Sequence, residues 1–171
     1  MEKISFWNLI SSNAIKKICI PTIQRDYALG HRKEVYKRNS FLNALKEAVC
    51  GKTELPLDFV YGVDNETMFI PLDGQQRLTS LCLIAIKLYH LLSDASQTGE
   101  FDNLKDNLRK CLSTKDMFDG NIYSIDHEKR HNVMDFILEN KEFKKQNTIT
   151  EANILARYKD ISVYLENFLF K

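Results

Sequence analysis

The stretch "PLDGQQRLTS", Pro71–Ser80, links two apolar segments through a short polar centre. The segment before it, "TMFIPL", has the apolar composition of a strand. The run after it, from Gln75 to about Leu92, is apolar on nearly every side, which is typical of a buried central helix. Because Gly74 allows a sharp backbone turn between the two, we predict a strand–turn–helix unit.

The segments on the N-terminal side of this unit predict further strands and helices. "LDFVYG" and "TMFIPL" predict the two strands of a hairpin and "VDNE" predicts the turn between them. "KICIP" predicts an earlier strand that Pro21 ends. A short helix is expected over Ser5–Ala14. A second helix is expected from about Val35 to Cys50, with Gly51 as its C-terminal stop.

The C-terminal side predicts helices separated by polar loops. "SDASQTGEFDN" is expected to be a surface loop and "FDGN" a turn. Helices are predicted around Leu108, over His127–Asn140, and from Glu151 to the end, where Thr148 and Glu151 fit a capping box. The last helix carries an apolar stripe that should be largely buried: Ile154, Tyr158, Ile161, Leu165 and Phe168. Because the chain stops inside this amphipathic helix, we expect it to be a fragment of a longer protein.

Composition narrows the class of protein. The 171 residues carry a net charge of +1, from 24 basic and 23 acidic residues, which argues against a dedicated polyanion binder. The four cysteines, far apart in sequence, are expected to be small buried hydrophobes rather than metal ligands. The run Leu78–Leu92 is too short to span a bilayer comfortably, and the N-terminus does not resemble a signal peptide. We therefore expect a cytoplasmic protein without zinc, haem or a membrane partner.

The polar centre Asp73–Arg77 has the chemistry of a nucleotide site. The first amides of a helix attract anions, and the planar fork of Arg77 can grip phosphate with two hydrogen bonds. Gln75 and Gln76 could read a base or ribose, or orient a water for attack on phosphorus. Asp73 could hold Mg²⁺ or a ribose hydroxyl. The alternative stays open that Asp73 only caps the helix and Arg77 only pairs with a buried carboxylate.

A second polar cluster follows the first predicted strand. "IPTIQRDY", Ile20–Tyr27, places Gln24 and Arg25 just after that strand. Ligand groups converge at strand ends in small α+β sheets. If the two strands are neighbours, Arg25 and Arg77 should face one ligand in one polar pocket.

The two motifs, "IP..QR.Y" and "DGQQR", resemble the N-terminal domain of GmrSD-type modification-dependent restriction enzymes, within the ParB/sulfiredoxin-like superfamily. The resemblance covers residues 5–92 well and the rest loosely. It implies an α+β fold: a ParB-like small mixed sheet with a buried helix after the DGQQR turn, followed by a mostly α-helical second half. Residues 1–95 would form the nucleotide-binding domain and 96–171 a helical extension packed on it.

The resemblance also implies an activity and its residues. The domain would bind a nucleoside triphosphate with Mg²⁺ and hydrolyse it, to control an HNH nuclease that cleaves modified phage DNA. The implied catalytic residues are Asp73, Gln75, Gln76 and Arg77, with Asp73 as the Mg²⁺ ligand. The first motif falls on Pro21, Gln24, Arg25 and Tyr27. The implied nucleotide-binding residues are Gln24, Arg25, Tyr27, Gly74 and Arg77. The chain departs from the family at Leu29, where members often have Trp, so stacking at this position is not expected.

The sequence also allows other interpretations. His127 and His131, four residues apart in "DHEKRH", are expected on a solvated helix face rather than at a metal. The chain shows no nuclease motif. A non-catalytic interaction module and a DNA-binding adaptor are the alternatives to a nucleotide-dependent regulator. The two intact motifs favour the regulator over the module, and the near-neutral charge weighs against an adaptor.

Overall fold

The computed structural model describes residues 4–11, 17–22, 35–57, 60–65, 68–95, 99–139 and 148–169. Six helices and six strands occur within these ranges. The helices are α1 (Phe6–Ser11), α2 (Val35–Gly51), α3 (Gln75–Ala95), α4 (Asp102–Leu112), α5 (His131–Glu139) and α6 (Ile149–Leu169). The strands are β1 (Lys17–Ile20), β2 (Gly62–Asp64), β3 (Met68–Pro71), β4 (Ser113–Lys115), β5 (Asn121–Tyr123) and β6 (Ile125–His127). The predicted α+β class, with a small mixed sheet and a mostly helical second half, is confirmed.

Four of the strands form one mixed sheet in the order β2-β3-β1-β6. β2 runs antiparallel to β3, whereas β1 runs parallel to both β3 and β6. β4 and β5 form a separate antiparallel pair. The sheet therefore has three adjacent parallel strands, two from the first half of the chain and one from the second.

Helix α3 is the central helix of the core, as predicted. Eight of its residues are buried between Leu78 and Ile86. It packs against α4 and α6, and it also contacts β6. Among the described residues it is the helix that is long and apolar enough to cross a membrane, but core helices of globular domains share that property. Its burial within the fold accounts for its composition.

The hairpin before α3 forms, although its boundaries differ from the prediction. Val63 and Asp64 were assigned to the turn but belong to β2, where Val63 pairs with Ile70. Gly62 is required at the start of this strand because a Cβ there would lie 2.1 Å from the backbone oxygen of Ile70. The turn shifts to Asn65, whose side-chain Oδ1 accepts a 2.7 Å hydrogen bond from the Met68 amide.

In the second half of the chain, one predicted helix begins later than expected and the capping box of another is confirmed. The predicted helix over His127–Asn140 is wrong at its start, because His127 ends strand β6 and α5 begins only at His131. The capping box is confirmed: the Thr148 amide donates to Glu151 Oε2 at 3.0 Å, and the Glu151 amide donates to Thr148 Oγ1 at 3.2 Å. The apolar stripe of α6 is buried or half-buried along its length, with Ile154 and Ile161 fully enclosed.

The expectation that the cysteines are buried is confirmed for some of them but not for all. Cys82 is buried in α3, and burial raises the pKa of its thiol to about 12. Cys19 and Cys111 are half-buried. The expectation for Cys50 is wrong, because it lies exposed on the last turn of α2. That helix faces the core mainly through Leu42, so its final turn extends beyond the apolar cluster.

Candidate functional site

The carboxyl ends of the three parallel strands meet at one edge of the sheet. β1 ends at Ile20, β3 at Pro71 and β6 at His127, and the shared direction of the strands brings these ends together. Ligands of sheets with parallel strands bind outside such carboxyl ends. Each of the three strands is followed by polar residues, so this edge is the candidate functional site.

The turn after β3 depends on Gly74. Its φ of 87° lies in the left-handed region, which favours glycine. A Cβ at this position would lie 2.7 Å from Val60 Cγ2. The Gly74 carbonyl accepts the first helical hydrogen bond from the Leu78 amide at 2.9 Å. Gly74, and not Asp73, therefore occupies the N-cap position of α3, and the predicted strand–turn–helix junction is confirmed.

A small polar pocket opens beside this turn. It encloses about 10 Å³, which is room for about one water molecule. Its wall combines the end of β1, the first turns of α3, the β6–α5 connection and one residue of α6. The lining residues are Ile20, Gln75, Gln76, Thr79, His127, Arg130 and Ile154.

Gln75 and Gln76 thus line the pocket, as two of the predicted site residues. The side-chain amide nitrogen of Gln75 donates to the Pro71 carbonyl at 3.0 Å and to the Leu72 carbonyl at 3.2 Å. These bonds hold the Gln75 side chain against the end of β3. They use its two N–H donors and leave its carbonyl oxygen as the group that can accept from a ligand or water.

Arg77 lies on the first turn of α3 and Asp73 lies just before the helix, and neither lines the pocket. Arg77 Nη1 donates to the Leu57 carbonyl, and Arg77 Nη2 lies 3.5 Å from Asp73 Oδ2. The Asp73 side chain is 61% exposed, so it is not the buried carboxylate considered as a partner for Arg77. The pair joins the turn to the segment before β2.

Thr79, His127 and Arg130 line the pocket although the sequence did not indicate them. All three are buried, and Thr79 Oγ1 lies 3.0 Å from His127 Nε2. Burial, followed by the charge of Arg130, lowers the pKa of His127 to about 4, so its imidazole is neutral near pH 7. The expectation of a solvated His127 is wrong because the ring points from a core strand. The available signal was the apolar side of "YSIDH", where Tyr123, Ile125 and His127 alternate with polar residues.

The ends of β1 and β6 are tied together by hydrogen bonds. The carboxylate oxygen Oε2 of Glu128 accepts from both the amide and the hydroxyl of Thr22, each at 2.8 Å. These two bonds lower the pKa of the Glu128 carboxyl. The Glu128 amide donates to the Ile20 carbonyl at 3.0 Å. Thr22 belongs to the second motif and is the last residue of that motif that the structure describes.

Three predicted site residues, Gln24, Arg25 and Tyr27, lie outside the described residues. That Arg25 and Arg77 face one ligand therefore remains a prediction. What the structure establishes is that β1, which precedes this motif, is the direct neighbour of β3, which precedes "DGQQR".

Metal ligands are sparse at this edge. Within the ranges that the structure describes, no three His, Cys, Asp or Glu residues are grouped as a metal site would require. Asp126, which directly precedes His127, forms ion pairs with Lys17 and His131. The pKa of the Asp126 carboxyl is lowered because those contacts outweigh the effect of its burial. Asp73, two residues before α3 in sequence, carries an exposed carboxylate.

The fold and the pocket define an α+β domain with a polar site at the carboxyl ends of its parallel strands and the N-terminus of its central helix. The chain belongs to the family described as the N-terminal domain of the GmrSD restriction endonuclease, whose model matches residues 6–170. The match includes the helical second half, which the sequence motifs covered only loosely. Comparison with curated proteins found no match. The chain is thus a domain of a restriction system, a class of phage defence.

Proposed function

We propose that this domain binds a nucleoside triphosphate with Mg²⁺ at the carboxyl edge of the sheet and hydrolyses it. In the proposal, the nucleotide state controls an HNH nuclease domain that cleaves modified phage DNA in the cytoplasm. The supporting observation is the position of "DGQQR", Asp73–Arg77, at the start of the buried helix α3, with two further parallel strands ending beside it. Family membership supports the restriction context.

The phosphates would lie along the first turn of α3. Backbone amides at a helix start have no intrahelical partners and carry partial positive charge, so they favour an anion. Gly74 brings the backbone close to that position because it has no side chain. Arg77, on the same turn, would add a charge-assisted contact to phosphate. Gln24, Arg25 and Tyr27 of the second motif would bind the remainder of the nucleotide.

Asp73 fits the needs of a nucleotide-bound Mg²⁺. Mg²⁺ in such sites keeps several waters and takes one or two carboxylates in addition to the phosphate oxygens. The exposed Asp73 carboxylate offers such a ligand, held on the turn by Arg77. When bound, the ion would neutralise charge on the phosphates during transfer.

Gln75 would position the attacking water. Its two N–H donors are held by the Pro71 and Leu72 carbonyls, so its Oε1 is fixed in direction and can accept from water. Gln76, beside it on the pocket wall, would contact the phosphate or sugar. Gln75 would thus orient the water, whereas Gln76 would bind the ligand.

Thermal denaturation with each of the four ribonucleoside triphosphates, with and without Mg²⁺, tests the proposal. A nucleotide present at one hundred times its dissociation constant should stabilise the chain by about 2.7 kcal/mol. Phosphate release then measures hydrolysis. Gln75→Ala should reduce hydrolysis more than binding, whereas Arg77→Ala should weaken binding about tenfold or more.

Asn103→Ala is a matched control, because it removes an exposed amide from α4, outside the pocket. Its affinity and turnover should equal those of the unaltered chain. If a nucleotide stabilises the chain but no phosphate is released, the domain binds the nucleotide without hydrolysing it. No stabilisation by any of the four triphosphates would refute the nucleotide site.

A further inference from the structure

A buried arginine, Arg130, belongs to the pocket. Only 7% of its surface is exposed, and it lines the same pocket as Gln75 and Gln76. Its amide donates to the His127 carbonyl at 2.9 Å, and its carbonyl accepts from the Met134 amide at 3.3 Å. Arg130 therefore stands at the position directly before helix α5. It is not part of either motif that the sequence analysis used.

Two helix N-termini meet at this pocket. Gln75 and Gln76 begin α3, and Arg130 leads into α5, which has nine residues. The N-terminal ends of both helices carry partial positive charge. Among the seven described lining residues, Arg130 carries the formal charge and no carboxylate is present. The pocket wall therefore offers an anion one formal positive charge and two helix N-termini.

The pocket also contains a buried polar atom that the described residues leave unsatisfied. His127 bonds through Nε2 to Thr79, whereas its Nδ1 makes no hydrogen bond of good geometry with the described residues. The Ile125 backbone still acts on the imidazole and partly offsets the lowering of its pKa. Buried polar groups in folded proteins nearly always have a partner, which is often a water or ligand. Because the imidazole is neutral, a Thr79 hydroxyl that donates to Nε2 leaves Nδ1–H as a donor.

We propose that Arg130 contacts a phosphate group of a ligand bound at the opening of the pocket, from the β6–α5 side opposite the "DGQQR" turn, and that the Thr79–His127 pair positions this contact. The inference rests on the proposed nucleotide function for the identity of the ligand. It extends the site to the second half of the chain. It also assigns a role to His127 and Arg130, two residues of the "HEKR" segment.

Calorimetric titration with two probes tests this proposal: each nucleoside triphosphate with Mg²⁺, and inorganic tripolyphosphate with Mg²⁺. Arg130→Gln should weaken both about tenfold or more, because it removes a charge-assisted contact. Arg130→Lys should recover part of the affinity, since it restores charge but not the planar fork. Lys129→Gln is the matched control: it removes a neighbouring positive charge from an exposed side chain, and affinity should stay within about twofold.

Because Arg130 is buried, its variants are also compared with the unaltered chain by melting temperature. If Arg130→Gln does not fold, the imidazole NMR signals of His127 in the unaltered chain test the proposal instead. These signals, assigned with His127→Gln, should shift on addition of either probe. Unchanged signals with saturating probe would overturn the proposal.

The outcomes separate this proposal from the nucleotide proposal. Triphosphate binding that Arg130→Gln leaves intact would overturn the role of Arg130 while the nucleotide site stands. Arg130-dependent binding of tripolyphosphate without any nucleotide binding would support the phosphate contact and refute the nucleotide. Binding of neither probe would refute both.

Discussion

Thr79 Oγ1 and His127 Nε2 lie 3.0 Å apart in the buried interior, which joins the central helix to the edge strand β6 across 48 positions of sequence. Thr79 comes from the first half of the chain and His127 from the second. The pocket wall is thus built by both halves, in agreement with a family match that runs from residue 6 to residue 170.

Acid should destabilise the fold through His127. Its pKa falls from 6.5 to about 4 on folding, so the unfolded chain binds the proton first as the pH drops. The stability from this group is therefore complete above pH 6.5 and is lost as the pH falls toward 4. Linkage predicts a loss of about 2 kcal/mol between pH 7 and pH 5, measured by urea denaturation at each pH.

The variant His127→Gln is the control for this loss of stability in acid. Its free energy of unfolding should change less over the same interval, because the substituted side chain does not titrate. The interval stays above most of the titration of Asp126 and Glu128, whose pKa values are lowered in the folded state. Equal pH slopes for the two proteins would contradict the predicted protonation of His127.

Gly74→Ala should lower the free energy of unfolding by about 2 kcal/mol. The substitution places a side chain at φ of 87° and brings its Cβ to 2.7 Å from Val60 Cγ2. Gly51→Ala is the matched control, because its Cβ would meet nothing closer than 3.6 Å and it lies in a helix. That variant should be unchanged or more stable by up to about 1 kcal/mol. Similar losses in both variants would show that the turn geometry is not the cause.

Arg77→Ala should lower the free energy of unfolding by about 2 kcal/mol, apart from any effect on nucleotide binding. Its guanidinium donates to the Leu57 carbonyl in a half-buried position, and charge-assisted bonds of this kind are the stronger ones. Asp73→Ala should cost less than about 0.5 kcal/mol, because the Asp73–Arg77 pair is largely exposed. Urea denaturation of both variants measures the difference. A larger loss in Asp73→Ala would reverse this assignment.

The purified chain alone should not cleave DNA, whether the DNA is modified or unmodified. The described residues contain no acidic or histidine cluster of the kind that holds nuclease metals, and a net charge of +1 provides little general affinity for the duplex. Incubation with both substrates and Mg²⁺, followed by gel electrophoresis, checks this. Cleavage that a substitution within this chain abolishes would refute it.

Much of the architecture around "DGQQR" was predictable because its signals are local. A glycine turn between a strand pattern and an all-round apolar run predicts a junction and a buried helix, and φ at Gly74 is determined by the lack of a side chain. The capping box at Thr148 and Glu151 needs only residues three apart. Even so, strand boundaries shifted in the hairpin, because a short apolar run does not mark where pairing begins.

The sequence by itself determined the α+β class, the central helix and the motif residues that belong to the family. Only the tertiary structure decided which other residues share the pocket with Gln75 and Gln76. Strand β6 is three residues long and pairs in parallel with β1, over more than a hundred positions of chain. The alternation in "YSIDH" could indicate a short strand but not the strand with which it pairs, because parallel pairing depends on non-local contacts. Burial of His127 and Arg130 at that edge follows from this pairing, so their place beside the motif could not be read from their local sequence.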